Sequence, residues 1–213
     1  MGLSPARGAP APVRPDRAYA AGMQRSTGEH WIALAAVVAA FVPAVRGVLE
    51  VTIVFVPGRW LVAGAVIGAV GAAVVLVAAH RSGARATVTF ALATLLYAVS
   101  WPVPGVIGSF LDLIGIGLLL GFGVLVVRGS TGYRRVLGWI VAVGAAGLVV
   151  GHFALSWFFP LTLVSQTALD VIVVAPSIVQ AVTYGAAGVL FLPPLLRPVG
   201  AGVRTLWSSA EVR

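Results

Sequence analysis

The chain has 213 residues, 60% of them hydrophobic and 9% charged, with a mean hydropathy of +1.04 and a formal net charge of +8. A soluble domain carries roughly 25% charged residues, so most of this surface is not made for water. The chain contains no cysteine and no lysine. That excludes disulfides, thiolate metal sites and iron–sulfur clusters, and also a retinal-type Schiff base, which needs a lysine.

Residues 1–30 are rich in Pro, Ala, Gly and Arg and lack an apolar run, so they read as a disordered cytoplasmic tail. Apolar runs of about 20 residues then recur, the length that crosses a bilayer as a helix. They do not alternate as barrel strands would. The expected fold is all-α: a polytopic transmembrane helical bundle over 31–196, with spans near 31–55, 60–79, 86–103, 105–127, 136–159 and 172–196. Pro43 lies inside the first span, where it would bend or end the helix. The stretch LTLVSQTALDVIVVA before the last span reads as an interfacial helix or as an extension of that span. Residues 197–213 form a short basic tail.

Arginine placement sets the orientation. With six spans and both termini cytoplasmic, twelve of the fourteen arginines fall inside and only Arg46 and Arg59 outside. The positive-inside rule asks for that bias. The charge therefore points to anionic lipid headgroups rather than nucleic acid as the partner. All six tryptophans fall near span ends, as an aromatic belt requires. Arginine without lysine, with heavy Ala, Gly, Val and Pro use, suggests a GC-rich prokaryotic genome and a cell-membrane location.

SWPVPGVIGSFLDLI (100–114) has a twin in SWFFPLTLVSQTALDVI (156–172), and PAVRGVLEVTI (43–53) is a fainter third copy. The likeness suggests three helical hairpins related by an internal repeat. This layout is similar in outline to small six-span families such as the HdeD-type acid-resistance membrane proteins. The repeated signatures of those families are missing here, and nothing follows from the likeness about function.

The repeat places Glu50, Asp112 and Asp170 at or just within the outer surface, with Arg46 and His152 at similar depth. An ionisable group inside a span costs about 2.5–3.5 kcal/mol and is usually turned into the bundle. Helical spacing supports that direction. Arg46 and Glu50 are four apart, as are His152 and Ser156; Asp112 shares a face with Gly105, Gly108 and Ser109. Gln166, Asp170, Ser177 and Tyr184 form a polar stripe, with Gln180 beside it. The expected site is an outward-opening polar pocket of Arg46, Glu50, Asp112, His152 and Asp170, with Gln166, Gln180 and Tyr184 as further binding candidates. The competing reading makes Asp112 and Asp170 solvated helix-start acids and Arg46–Glu50 a plain surface pair of little worth.

Three scattered histidines fit neither bis-His haem nor a zinc protease, and no phosphate-binding loop or serine-hydrolase elbow occurs. No metal or cofactor is expected. GxxxG spacing occurs at Gly64–Gly68, Gly117–Gly121 and Gly147–Gly151, and Gly144, Gly147 and Gly151 mark the fifth span as a central packer. Packing within one bundle is preferred over a homo-oligomer interface. The function expected is a small transporter or ion- or proton-translocating protein acting on a small solute, a proton or a lipid. An intramembrane lipid or isoprenoid enzyme using carboxylate acid–base chemistry is the alternative. A non-catalytic accessory or scaffold protein is the third.

Overall fold

In a computed structural model, backbone is described for 15–52, 58–158 and 166–196, and side chains for 28–52, 58–153 and 174–196. Six long helices follow in order: α1 Pro15–Thr52, α2 Gly58–Ser82, α3 Arg85–Ser100, α4 Gly105–Gly129, α5 Tyr133–Phe158 and α6 Gln166–Leu190. No strand occurs among the described residues. Four helical segments are long and apolar enough to cross a membrane: Gly28–Thr52, Gly58–Ser82, Gly105–Gly129 and Tyr133–Phe153. Arg85–Ser100 and Val174–Leu190 are equally apolar but shorter.

Three boundaries differ from expectation for local reasons. Helix α1 begins at Pro15, so the second half of the segment read as a tail is helical. Proline suits a first helical position because its missing N–H is one that has no partner there. Helix α6 runs unbroken from Gln166 through Pro176, which makes residues 166–175 of the outer stretch an extension of the last helix. That helix stops at Leu190 rather than near 196. Pro193 and Pro194 follow, and a proline disfavours helical backbone in the residue before it.

Each helix packs against its neighbours in sequence, and α6 closes onto α1, giving a ring; α1 also reaches α3. Short connections enforce this order. Gly83 (φ 69°) turns α2 into α3, and Gly132 (φ 61°) turns α4 into α5, both in backbone that L side chains rarely adopt. The basic residues Arg81, Arg85, Arg128, Arg134 and Arg135 gather at the end of the ring marked by these two turns.

The outside of the ring is apolar. Val62, Val66 and Val70 on α2, Val106 and Phe110 on α4, and Val143 and Val150 on α5 are all exposed. An apolar surface this continuous is wrong for water and right for lipid, as in an integral membrane protein. The centre is filled by Phe90, Leu119, Val75, Val141 and Tyr184. At the basic end, Phe90 packs at 5.2 Å from Phe122 and 4.8 Å from Phe191, closing the middle of the bundle.

Glycines set the closest helix contacts, but not chiefly those of the GxxxG pairs. A Cβ at Gly123 would lie 2.7 Å from the Ala142 backbone of α5, and one at Gly188 would lie 2.7 Å from the Phe41 ring. Gly47 meets the Ser177 carbonyl and Gly144 the Thr183 hydroxyl closer still. By contrast a Cβ at Gly64, Gly121, Gly147 or Gly151 would make ordinary contacts at 3.7 Å, and Gly117 faces open space. Of the α5 glycines singled out by spacing, Gly144 is the tight one.

Candidate functional site

The site is built at the end of the ring away from the basic turns. Arg46 lies six residues before the end of α1, Asp112 seven after the start of α4, and His152 six before the end of α5. All three side chains line one cavity near this end of the ring.

Local packing turns them inward. Gly47 lets α6 come against α1, which brings Ser177 within reach of Glu50. Gly108 takes the turn after α3 onto α4, with the Ser100 carbonyl 3.0 Å from where its Cβ would be. Trp101, in that turn, lines the same cavity as Asp112. Gly105, at φ 73°, starts α4 from that turn.

The polar contacts form one connected set on the α1 side. Arg46 Nε donates to a Glu50 carboxylate oxygen at 2.5 Å, and the other oxygen accepts from Ser177 Oγ at 3.0 Å. Arg46 Nη1 donates to the Tyr97 hydroxyl at 3.3 Å. Gln180 Nε2 reaches that same hydroxyl at 2.6 Å and the Pro43 carbonyl at 2.9 Å. Pro43 has no N–H and disrupts the helix ladder at its position, and its own carbonyl is taken by the neighbouring helix. The Arg46 guanidinium carbon stands 3.9 Å from the Trp101 ring centroid, within cation–π range.

On the other side, His152 Nδ1 stands 4.0 Å from an Asp112 carboxylate oxygen. That spacing is too long for a direct hydrogen bond and leaves room for a third group to join them. Between the two sides lies a cavity of about 330 Å³, lined by Arg46, Tyr97, Trp101, Asp112, His152, Gln180 and the Gly105–Ser109 backbone turn among others. Asp112 and Arg46 side chains are each about 30% exposed (30% and 29%), so the cavity is open rather than sealed.

Arg46, Asp112, His152 and Gln180 all line this cavity. Glu50 stands at the rim, exposed and tied to the cavity through Arg46. Tyr184 does not line the cavity. It is buried to 1% exposure beneath it, with its ring 5.3 Å from Tyr97. The one-turn drop from Gln180 to Tyr184 carries α6 into the packed centre. Asp170 and Gln166 have side chains outside the described residues, as does Ser156.

Two contributors were not anticipated. Tyr97 joins Arg46 to Gln180 from within an apolar helix. Trp101 faces Arg46 instead of standing in the belt, whereas Trp31, Trp60 and Trp139 are exposed as belt residues should be. The signal for both was present: Tyr97 and Trp101 are four apart and so share a face.

No group of three or more potential metal ligands occurs among the described residues. Comparison with protein-family models, curated proteins and solved structures gives no significant match for this chain.

Proposed function

We propose that this integral membrane protein crosses a prokaryotic cell membrane six times with both termini cytoplasmic. In this reading its polar cavity is a binding pocket opening outward. The observation that carries it is the convergence of Arg46, Asp112 and His152, from three helices, on one cavity. Three costly groups brought from three helices to one cavity have more use together than as separate helix caps.

The use supported best is chemistry or capture from one side. Asp112 and His152 supply a proton donor and acceptor around a gap that a substrate atom or water can fill. Below them the bundle is closed by Tyr184, Leu119 and the Phe90–Phe122–Phe191 cluster. The buried hydroxyls there, Thr94 and Thr183, donate to carbonyls of their own helices, and no polar path continues downward among the described residues. Translocation of a solute or proton is the second reading. Its support is the Tyr184 hydroxyl, which is buried without a hydrogen-bond partner among the described residues directly under the cavity. A carrier would use that group when its floor opens.

The absence of native cysteine makes a clean test available. Ser109 is exposed and lines the cavity, so Ser109→Cys should react with a membrane-impermeant maleimide added outside intact cells. Ser82→Cys at the opposite end should react only after permeabilisation. Reaction of Ser109→Cys from the cytoplasmic side alone would refute an outward pocket. Asp112→Asn should abolish the cellular phenotype of the wild-type gene while leaving folding intact. Proton or solute flux in liposomes then separates the carrier from the one-sided enzyme.

A further inference from the structure

Two further hollows meet the polar cavity at one point. The first, about 340 Å³, lies between α1 and α2 and is lined by Phe41, Val42, Leu61 and Gly64. The second, about 540 Å³, lies between α2 and α3 and is lined by Val62, Ala65, Ala69 and Ala98. Arg46 and Trp101 line all three spaces. In both apolar hollows Arg46 is the one charged lining residue.

The larger hollow follows α2 from Gly58 to Ala69, a rise of about 17 Å along the helix. Half of a bilayer core about 30 Å thick is about 15 Å, so the cleft matches one leaflet. Its α2 side carries exposed Val62 and Val66, and a cleft bordered by lipid-facing side chains is open to hydrocarbon.

The groups at its head donate and cannot accept. Arg46 uses Nε and Nη1 within the protein, while Nη2 makes no hydrogen bond among the described residues. The Arg46 side chain is 29% exposed and ion-paired with Glu50, whereas the Trp101 indole N–H is buried with no partner among the described residues. Guanidinium and indole can donate but not accept, and arginine nitrogens that face an open cavity are free to take an anion. A ligand for the guanidinium brings acceptor oxygens, and arginine favours a carboxylate or phosphate.

We propose that the pocket takes an anionic amphiphile, with its oxyanion at Arg46 beside the Trp101 ring and its hydrocarbon chain in the α2–α3 cleft. This rests on the pocket reading and names its substrate class. The headgroup then projects from Arg46 into the polar cavity towards Asp112 and His152. Phosphate and carboxylate headgroups share this recognition chemistry.

The test uses the full chain in nanodiscs and the fluorescence of Trp101, isolated as the difference between the wild type and Trp101→Phe. The quenching probes are brominated phosphatidylglycerol, a brominated fatty acid and brominated phosphatidylcholine. At least one anionic probe should quench at about tenfold lower concentration than phosphatidylcholine, the scale of one charge-assisted hydrogen bond. Which one does so identifies phosphate or carboxylate as the source. Arg46→Gln should erase the preference, and Arg46→Lys should keep part of it and serve if the glutamine variant fails to fold. Ala69→Phe, filling a half-buried position in the cleft, should weaken quenching by every probe. Equal quenching by all probes, or a preference that survives Arg46→Gln, would overturn the proposal. Displacement of the lipid by inorganic phosphate alone would overturn its hydrocarbon half. Maleimide labelling of Ser109→Cys in the same nanodiscs keeps the two readings apart. If the pocket labels but no lipid is preferred, only the amphiphile is lost.

Discussion

The Arg46 guanidinium carbon lies 3.9 Å from the centroid of the Trp101 ring, fastening α1 to the turn between α3 and α4. Exposed cation–π pairs contribute about 0.5–1 kcal/mol and desolvated ones about 2. A double-mutant cycle of Arg46→Gln with Trp101→Leu should therefore give a coupling of about 1–2 kcal/mol in thermal or denaturant unfolding in detergent. Additive losses would show that the two side chains merely lie near one another.

Glycine substitutions should sort by what the new methyl group meets. Gly47→Ala forces a methyl group against the Ser177 carbonyl, a rigid backbone atom. It should cost about 1–3 kcal/mol, as overpacking does. It should also loosen the Glu50–Ser177 hydrogen bond. Gly117→Ala, with open space around it, should be neutral or mildly stabilising through its better helix propensity. Thermal midpoints of the two variants check the ordering.

Gly144 and Thr183 offer a compensation test. A methyl group at Gly144 meets the Thr183 hydroxyl, which itself bonds back to Val179 on its own helix at 2.6 Å. Gly144→Ala alone should destabilise α5–α6 packing by about 1–3 kcal/mol. Adding Thr183→Ala removes the obstructing atoms and should recover most of the loss, read as non-additive shifts in melting temperature.

Phe191→Ala separates stability from the pocket. Phe191 stacks on Phe122 at an interplanar angle of 10° and packs on Phe90. All three lie at the end remote from the cavity. Its truncation should cost up to about 3 kcal/mol in unfolding measurements. The labelling rate of Ser109→Cys should stay as in the parent. A large change in that rate would mean that the two ends of the ring are mechanically linked.

The helical membrane fold was legible because apolar runs and their length are properties of single segments. Arg46 and Glu50 were legible as a pair for the same reason, being four apart on one helix. The gathering of Asp112, His152 and Gln180 was legible only as depth, since spacing along a helix gives height but not which helices face one another. Closure of α6 onto α1 decides that, and it depends on Gly47, an inconspicuous glycine outside the GxxxG pairs. Tyr184 shows the limit of a face argument. It lies on the polar stripe of α6, yet one turn beyond Gln180 that stripe runs into packed side chains, and the hydroxyl points into protein. Trp101 shows another limit, because a tryptophan at a span end satisfies the belt pattern equally well when it is turned inward towards a cation.

Helices α2 and α3 are joined at the basic end by a turn so short that Gly83 takes positive φ, while the cleft between them occupies only their opposite ends. The gap between the two helices therefore lies away from the turn that ties their basic ends, and that turn is the apex from which it opens. Anything thicker than the gap must widen it by a small angular swing about that apex, with the greatest displacement at the mouth and almost none beside the basic loop. Selection by girth would fall on whatever reaches the mouth, and the chain terminus of a long guest would be graded by how far down the taper it can descend.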